Sequence, residues 1–371
     1  MFVELHLIQN FAPSCLNRDD TNTPKDCEFG GYRRARVSSQ CLKRSIRTSE
    51  QFKKALAGHL SDRSLRFPQL VVNALQSKKL DEKALKAIGS QLEKIAKKES
   101  KGDGSEAPKS ERDDREFKTP QIMFFTSEEV QECAERIEAL LKSGTKPKDI
   151  VDTKNRRLKD GEPLPIPRTV DIALFGRMIT SNAFMDIDAA CQVAHAISTH
   201  CVDMEMDFYT AVDDLNPKEE TGAGMMGIVE FNSSCFYRYA VLDACQLAEN
   251  LGGDADLARK AAQAFVEAAI YAIPTGKQNS MAAHNPPVYA RLVARDGAPR
   301  SLANAFIAPI RRSDERDLAL ASIEALEKHA ADLDRMYGTG GVKCDVAAST
   351  YEGHGDKTVQ DLVAAAGEVM G

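Results

Sequence analysis

Residues 32–47 read Y-R-R-A-R-V-S-S-Q-C-L-K-R-S-I-R. The stretch carries six cations and no acid, although the whole chain of 371 residues has a formal net charge of −6. Its first half alternates charged and apolar residues, which predicts a strand, and the four-residue spacing of Leu42 and Ile46 predicts a helix after it. Ser38 and Ser39 are both good N-cap residues for that helix.

A strand that runs directly into a helix presents free N–H groups and the positive end of the helix dipole, which suit a phosphate. Gln40, Lys43, Arg44 and Arg47 are predicted on the helix surface, with Lys43 and Arg47 on one side. Because the chain as a whole is acidic, a polyanion would bind at this stretch rather than by bulk attraction. A solvated charged face without a ligand is the alternative.

Length and composition allow one large domain or two ordinary ones, and 43% hydrophobic with 28% charged residues is typical of a soluble globular protein. Nine cysteines, odd in number and without a C-x-x-C pair, indicate neither a disulfide framework nor a zinc site. We therefore expect a reduced, cytoplasmic compartment, no membrane contact and no cofactor, since the N-terminus lacks a basic region and no apolar run is long enough to span a membrane.

The first half of the chain reads as a strand followed by a helical insertion. Residues 3–7 alternate apolar and polar side chains, which predicts a strand with one buried face. Residues 51–98 have helical spacing, residues 96–118 are polar enough to predict a flexible loop, and residues 127–143 predict a further helix.

The second half mixes helices and strands. We predict an Ala-rich helix at residues 189–199 and a long hairpin at residues 202–232 with one strongly acidic strand face. The hairpin is either clamped by another structure or an ordinary edge of the core sheet. A helix after Asp254, a strand near residues 288–293 and a last helix from Thr358 follow without regular βα repetition, which favours an α+β fold.

The pair Gly276-Lys277 is similar to the end of a phosphate-binding P-loop. A P-loop requires a glycine five residues before Gly276 and a hydroxyl residue after Lys277, but those positions hold Tyr271 and Gln278. The motif is therefore not a P-loop.

His195 and His200 are five residues apart, the wrong spacing for one helical face, and are predicted to be structural. Asp19 and Asp20 could hold a metal ion for phosphodiester cleavage. No third acid or histidine lies at a suitable spacing, so a structural or loop-capping role is favoured for both.

Several motifs, in order along most of the chain, closely resemble the CasC family, the repeated backbone subunit of type I-E CRISPR Cascade complexes. They are L-N-R-D-D (16–20), F-G-G-Y-R-R-A-R-V-S-S-Q-C-L-K-R-S-I-R (29–47), D-I-A-L-F-G-R-M (171–178), A-H-A-I-S-T-H (194–200), D-F-Y-T-A-V-D-D-L (207–215), F-Y-R-Y-A (236–240), E-N-L-G-G (249–253) and S-L-A-N-A-F (301–306). The similarity is weak across residues 51–168 and after residue 310.

The resemblance implies an α+β, right-hand architecture. The palm is a modified RNA-recognition-motif, or ferredoxin-like, sheet formed by residues 1–54, a palm helix at 191–201 and residues 233–371. Residues 55–190 form the helical fingers insertion, and residues 202–232 form the thumb hairpin. In the family, copies stack along CRISPR RNA, and each thumb folds over the RNA to reach the next copy.

The resemblance also implies an RNA site and a set of partners. The RNA-contacting positions are Arg18, Lys25, Ser38, Gln40, Lys43, Arg44, Arg47, Met178, Tyr209 and Thr210. The implied partners are the guide CRISPR RNA, a target DNA strand paired with it, further copies of the chain, and the large, small, 5′-handle-capping and RNA-processing endonuclease subunits of Cascade.

Three hypotheses follow. The leading one is a non-catalytic RNA-binding filament subunit that accepts any guide sequence through phosphate contacts. The enzyme alternative is a metal-dependent ribonuclease that cuts complementary RNA through Asp19 or Asp20. The third is an oligomeric scaffold that binds no RNA.

Overall fold

The computed structural model describes residues 1–78, 80–95, 117–179, 181–211, 225–313 and 316–371. Most of the polar loop predicted at residues 96–118, and the tip of the predicted hairpin at residues 212–224, lie outside this part of the chain. Two compact units are present. The first comprises residues 1–56, 191–245 and 254–371, and the second comprises residues 57–190 and 246–253.

The strands are β1 (Phe2–Asn10), β2 (Asp26–Phe29), β3 (Tyr32–Val37), β4 (Asp62–Ser64), β5 (Met123–Phe125), β6 (Val151–Asp152), β7 (Arg157–Leu158), β8 (Cys191–Val193), β9 (Ala196–Ser198), β10 (Glu205–Ala211), β11 (Met225–Phe231), β12 (Cys235–Asp243), β13 (Tyr289–Arg295) and β14 (Val342–Ser349). The α-helices are α1 (Ser39–Thr48), α2 (Glu50–Ala55), α3 (Phe67–Gln76), α4 (Glu82–Leu92), α5 (Ser127–Lys142), α6 (Val170–Phe175), α7 (Ala244–Asn250), α8 (Ala255–Tyr271), α9 (Gln278–Met281), α10 (Leu318–Tyr337) and α11 (Val359–Glu368). None of the helices in the described ranges has the length and apolar character needed to cross a membrane.

The first unit is built on one antiparallel sheet with strand order β14-β13-β1-β12-β9-β3-β2, and β8 also pairs with β12. Its centre, β13-β1-β12-β9, is a ferredoxin-like sheet, because in chain order it is a strand, helix α1, two strands, helix α8 and a strand. The predicted α+β fold with a modified RNA-recognition-motif palm is confirmed. The strands β14, β3 and β2 extend this core at its edges.

The prediction that the first strand has one buried face is wrong, because β1 is buried on both. Its neighbours are β12 and β13, which occupy both edges. On one face Leu5 and Leu7 line a small cavity with Leu42 and Ile46 of α1, and on the other Ile8 belongs to the core that includes residues of α10. Alternation along a strand cannot show that polar positions such as 4 and 6 will also be covered.

The helix predicted at residues 189–199, and named as a palm helix at 191–201, is also wrong. This segment forms β8 and β9, which pair with β12, and β9 also pairs with β3. Alanine favours a helix locally, but Ile197 is buried between two strands and its backbone joins their ladder. Tertiary pairing therefore overrides the helix propensity of the segment.

The second unit is mainly helical, with a core formed by Val71, Leu75, Ile88, Cys133 and Ile137 of α3, α4 and α5. The helix predicted at 127–143 is confirmed as α5, which begins after the N-cap Thr126 in a capping box. Two very short two-stranded sheets, β4-β5 and β6-β7, are also present, which the helical spacing does not predict.

The long hairpin stands apart from the main sheet. Among the described residues, β10 and β11 pair only with each other, so the alternative of an edge hairpin of the core sheet is wrong. Its base is held by a bridge between Ser14 and Asn232. Every described residue of β10 is exposed.

Candidate nucleic-acid interface

Helix α1 presents a cationic face directly after β3. The Ser38 hydroxyl accepts a hydrogen bond from Cys41 N, so Ser38 is the N-cap, and the first turn holds no acid. Leu42 and Ile46 are buried beneath the helix. The opposite face, with the spacing i, i+3, i+4 and i+7, carries Gln40, Lys43, Arg44 and Arg47. Within the described ranges, neither the half-buried Lys43 nor the exposed Arg44 forms an ion pair with an acid.

Asn17 joins three predicted site residues into one surface. Its side-chain oxygen accepts a hydrogen bond from Ser38 N at 2.9 Å, and its backbone oxygen accepts one from Lys25 N at 2.9 Å. Arg18, the next residue, bridges to Pro24. The sequence alone marks Asn17 only as part of the L-N-R-D-D motif. Its role was missed because its two partners lie in other segments of the chain.

Lys25 lies close to helix α1. Burial raises the pKa of the Cys41 thiol, while the nearby charges of Arg44 and Lys25 act in the opposite direction. Both cations therefore lie near the same thiol, and Lys25 belongs to the Arg44 side of the helix. Six of the predicted RNA-contacting residues thus lie on α1 or on the loop that Asn17 joins to its N-cap, Ser38.

Arg34 is part of the core rather than of this surface. Its side chain is fully buried and its guanidinium donates to the backbone oxygens of Ser198 at 3.1 Å, Phe306 at 2.7 Å and Ile307 at 3.2 Å. It therefore ties β3 to β9 and to the turn after residue 302. The six-cation stretch contributes at most five cations to any ligand.

Arg33 and Arg36 meet Asp26 of the neighbouring strand. Arg33 forms an ion pair with the Asp26 carboxylate, and Arg36 donates to the Asp26 backbone oxygen at 3.0 Å. Arg36 also contacts Nδ1 of His195 at 3.1 Å. Burial, together with the charges of Arg36 and Lys25, lowers the pKa of His195, so a neutral imidazole accepts this hydrogen bond. His195, which is predicted to be structural, therefore lies beside the cationic surface.

Asp19 is occupied by its own loop. Its carboxylate accepts hydrogen bonds from the backbone and the hydroxyl groups of both Thr21 and Thr23, at 2.8 to 3.0 Å. These hydrogen bonds, that of the Thr21 side chain first, lower the pKa of Asp19 to about 2. In the part of the chain that the structure describes, no group of three His, Cys, Asp or Glu side chains could hold a metal ion.

Met178 projects from the second unit and is 89% exposed. The residue before it, Arg177, is buried and donates to both carboxylate oxygens of Glu129, at 2.7 and 3.0 Å. The residue after it, Ile179, donates its N–H to Asp186 at 2.8 Å. An apolar side chain is therefore held in solvent by a fixed backbone.

One face of the hairpin carries Glu205, Asp207 and Tyr209. Tyr209 lies opposite Gly227, and a Cβ atom at Gly227 would come within 2.5 Å of the Tyr209 ring. The glycine therefore allows the ring to lie flat on β11. Tyr209 and Thr210 are both predicted to contact RNA. The Thr210 side chain points to the opposite face of the hairpin, because the side chains of successive strand residues alternate between the two faces.

That opposite face is mainly apolar, with one acid, Glu230, opposite Met206. Met206, Phe208, Met226 and Ile228 lie on it with Thr210, and the four apolar side chains are between 61% and 70% exposed. A two-stranded sheet with such a face is marginal by itself in water. The hairpin therefore has the character of an element that is covered by a partner.

A family model described as "CT1975-like protein" matches residues 3–366. The chain belongs to this family.

The CT1975-like chain is also similar to chains of solved structures. One is described as "CRISPR RNA-guided surveillance complex, pre-nicking", with 28% identity, coverage of 99% of this chain and 100% of the matched chain, and a TM-score of 0.77. Another is described as "CRISPR RNA-guided surveillance complex", with 25% identity, coverage of 99% and 100%, and a TM-score of 0.61. No curated protein matches the chain. The resemblance to a family of Cas backbone subunits is confirmed.

The sheet face that binds bases in an ordinary RNA-recognition motif is closed in this CT1975-like chain. Such motifs stack bases on exposed aromatic side chains of the sheet. Here the rings of His6 and Tyr239 stack on each other with centroids 5.0 Å apart, and Tyr237 is buried against Phe306 at 5.4 Å. Helix α10 contributes to the same core. The exposed cations lie instead around α1, which packs on the opposite face of the sheet.

Proposed function

We propose that the chain is a non-catalytic, CRISPR RNA-binding backbone subunit of a type I-E Cascade complex. Copies assemble along the guide RNA and display the spacer in segments for pairing with target DNA. Membership of the CT1975-like family and similarity to chains of RNA-guided surveillance complexes support this proposal. The large, small, handle-capping and RNA-processing subunits of Cascade complete the proposed assembly.

The observation that carries the proposal is the cationic surface of α1 and the Asn17 loop. Gln40, Lys43 and Arg44 extend from a helix whose first turn has no acid, beside Lys25. Long cationic side chains and helix N–H groups bind phosphates and carry no base specificity. A subunit that must accept every spacer requires such sequence-independent contacts.

The hairpin supplies the proposed link between copies. Its apolar face, with Phe208 and Ile228, would cover the RNA bases, to which apolar and aromatic side chains are suited whatever the sequence. The acidic face, with Glu205 and Asp207, would repel phosphate and is proposed to face a basic surface of the neighbouring copy. Met178 is proposed as a second sequence-independent contact to bases, since an unbranched thioether adapts to all four.

The hydrogen bonding of Asp19 favours the non-catalytic proposal over the ribonuclease alternative. A carboxylate that accepts four hydrogen bonds from Thr21 and Thr23 has little capacity left for a metal ion. Incubation of the RNA-bound protein with complementary RNA and Mg²⁺ distinguishes the two. Periodic cuts that disappear in Asp19→Asn or Asp20→Asn would replace our proposal with the enzyme.

Assembly is tested by light scattering after size-exclusion chromatography with guide-length RNAs of unrelated sequence. We expect particles of several copies on every RNA. The double variant Phe208→Ser/Ile228→Ser should remain a folded monomer, because both side chains are exposed, yet give shorter particles. Met336→Ser is the matched control, because it replaces another exposed apolar side chain, 74% exposed in α10 and outside the hairpin. The absence of RNA binding by the wild-type protein would refute the proposal.

A further inference from the structure

The segment of residues 274–285, P-T-G-K-Q-N-S-M-A-A-H-N, is not used by the proposed site, and its Gly276-Lys277 pair is not a P-loop. Two of its non-glycine residues have left-handed backbone conformations, Lys277 at φ 52° and Ala282 at φ 47°. They bracket the four-residue helix α9. Such conformations are strained, and they persist where the surrounding structure holds them, often at functional sites.

The segment is anchored at several points. The side-chain amide of Gln278 donates to the backbone oxygens of Pro274 at 3.0 Å and Ala283 at 3.2 Å. Asn285 accepts hydrogen bonds from the Gln9 side chain at 2.7 Å and from Ala12 N at 3.2 Å. The strained backbone is therefore fixed to itself and to the end of β1.

Gly276 brings this segment against the loop that contains Arg18. A Cβ atom at Gly276 would lie 2.4 Å from the backbone oxygen of Leu16 and 2.7 Å from that of Cys15. Only a glycine allows this close approach between the two backbones. Lys277 follows Gly276 in the chain and Asn17 follows Leu16, so both residues flank this backbone contact.

The charges of Lys277 and Arg18 act on the same group. Burial raises the pKa of the Cys15 thiol, the positive charges of Arg18 and Lys277 oppose this effect, and the negative charges of Asp19 and Glu230 add to it more weakly. Both cations therefore lie near Cys15. Lys277 is only partly buried, and in the described part of the chain it has no acidic partner. A cation held on a fixed loop, without a counter-ion, beside other cations is available for an anion.

We infer that Lys277 is a further RNA-contacting residue, which binds a backbone phosphate of the single-stranded guide and extends the α1 surface across the Asn17 loop. The inference rests on the proposed function. Gly276 acts as a positioning residue, because its contact with Leu16 sets where the lysine stands. The strained conformation of Lys277 is consistent with a side chain that is held in place before the RNA arrives.

The test uses the full chain and an unstructured single-stranded RNA, with affinities measured between 50 and 200 mM salt. Lys277→Asn removes the charge and retains a residue type that tolerates the left-handed conformation. Loss of one phosphate contact on a single strand lowers the salt slope by about 0.7, so the affinity deficit should be about 2.6-fold larger at 50 mM than at 200 mM. Lys277→Arg keeps the charge and should restore most of the slope.

Gly276→Ala provides a second measurement that leaves every charge in place. The added Cβ must displace the loop from Leu16, so RNA affinity should fall while the melting temperature reports whether the fold is kept. An unchanged salt slope in Lys277→Asn, with the wild-type protein binding RNA normally, overturns this inference and leaves the proposed function standing. Equal losses in Lys277→Asn and Lys277→Arg would also overturn it, since the charge would then not matter. A wild-type protein that binds no RNA overturns both.

Discussion

The double substitution Lys43→Ala/Arg44→Ala should weaken RNA binding equally for all sequences without unfolding the protein. Both side chains are on the outer face of α1, and neither has an acidic partner among the described residues. Their removal exposes no core, so the free energy of unfolding should change by less than about 0.5 kcal/mol. Alanine is also a strong helix former, which protects α1.

The expected magnitude follows from counterion release. Each phosphate contact on a single strand contributes about 0.7 to the slope of log affinity against log salt, so two contacts contribute about 1.4. A fourfold change in salt, from 50 to 200 mM, is about 0.6 log units, and the product is about 0.84 log units. The ratio of wild-type to variant affinity should therefore be about sevenfold larger at 50 mM than at 200 mM.

Fluorescence anisotropy with two labelled RNAs of unrelated sequence measures both slopes. The matched control is Lys328→Ala/Arg335→Ala, which removes the same charge from exposed positions of α10, the helix that packs on the opposite face of the sheet. If the control lowers the slope as much as the α1 variant does, binding reflects overall charge. An unchanged slope in a folded α1 variant would refute the site.

Met178→Ala should loosen guide-target pairing and leave the urea midpoint almost unchanged, because the side chain is 89% exposed. A decrease of about 2–5 kcal/mol in the free energy of unfolding would instead show that Met178 is a core residue. Arg34→Ala should lower the free energy of unfolding by about 4 kcal/mol, because it removes two buried charge-assisted hydrogen bonds worth roughly 2 kcal/mol each. The control Arg33→Ala on the same strand should lower it by less than about 0.5 kcal/mol. Equal urea midpoints for the two variants would contradict the assignment of Arg34 to the core. Burial and neighbouring cations lower the pKa of His195, so a bound phosphate should raise this pKa, and RNA affinity should rise as the pH falls. NMR titration of the imidazole with and without RNA measures the shift. A pKa that does not move would place the RNA elsewhere.

Two neighbouring arginines of the cationic stretch have different surroundings that no local pattern distinguishes. Arg33 and Arg34 are neighbours in one cationic stretch, yet one is exposed beside Asp26 and the other is buried against three backbone oxygens. Their alternation showed that they face opposite sides of a strand. Which side is buried depends on β9 and on the turn near Phe306, more than 160 residues away.

The sequence by itself determined the features that rest on neighbouring residues. Side-chain periodicity and N-cap hydrogen bonds join residues within one turn of a helix. They set the change from strand to helix near Ser38, the start of α5 at Thr126 and the start of α8 at Asp254. The family motifs likewise identified the chain's relatives.

Only the tertiary structure decided what depends on partners distant in the chain. The segment at 191–198 became two strands because β12 and β3 supply ladders for them. Asn17 became the junction of the cationic surface through its hydrogen bond with Ser38, 21 residues away. Gly276 brought Lys277 near Arg18 through a backbone contact with Leu16, 260 residues away. Burial and hydrogen bonding across such separations are set by how the whole chain packs, so no local pattern of residue types records them.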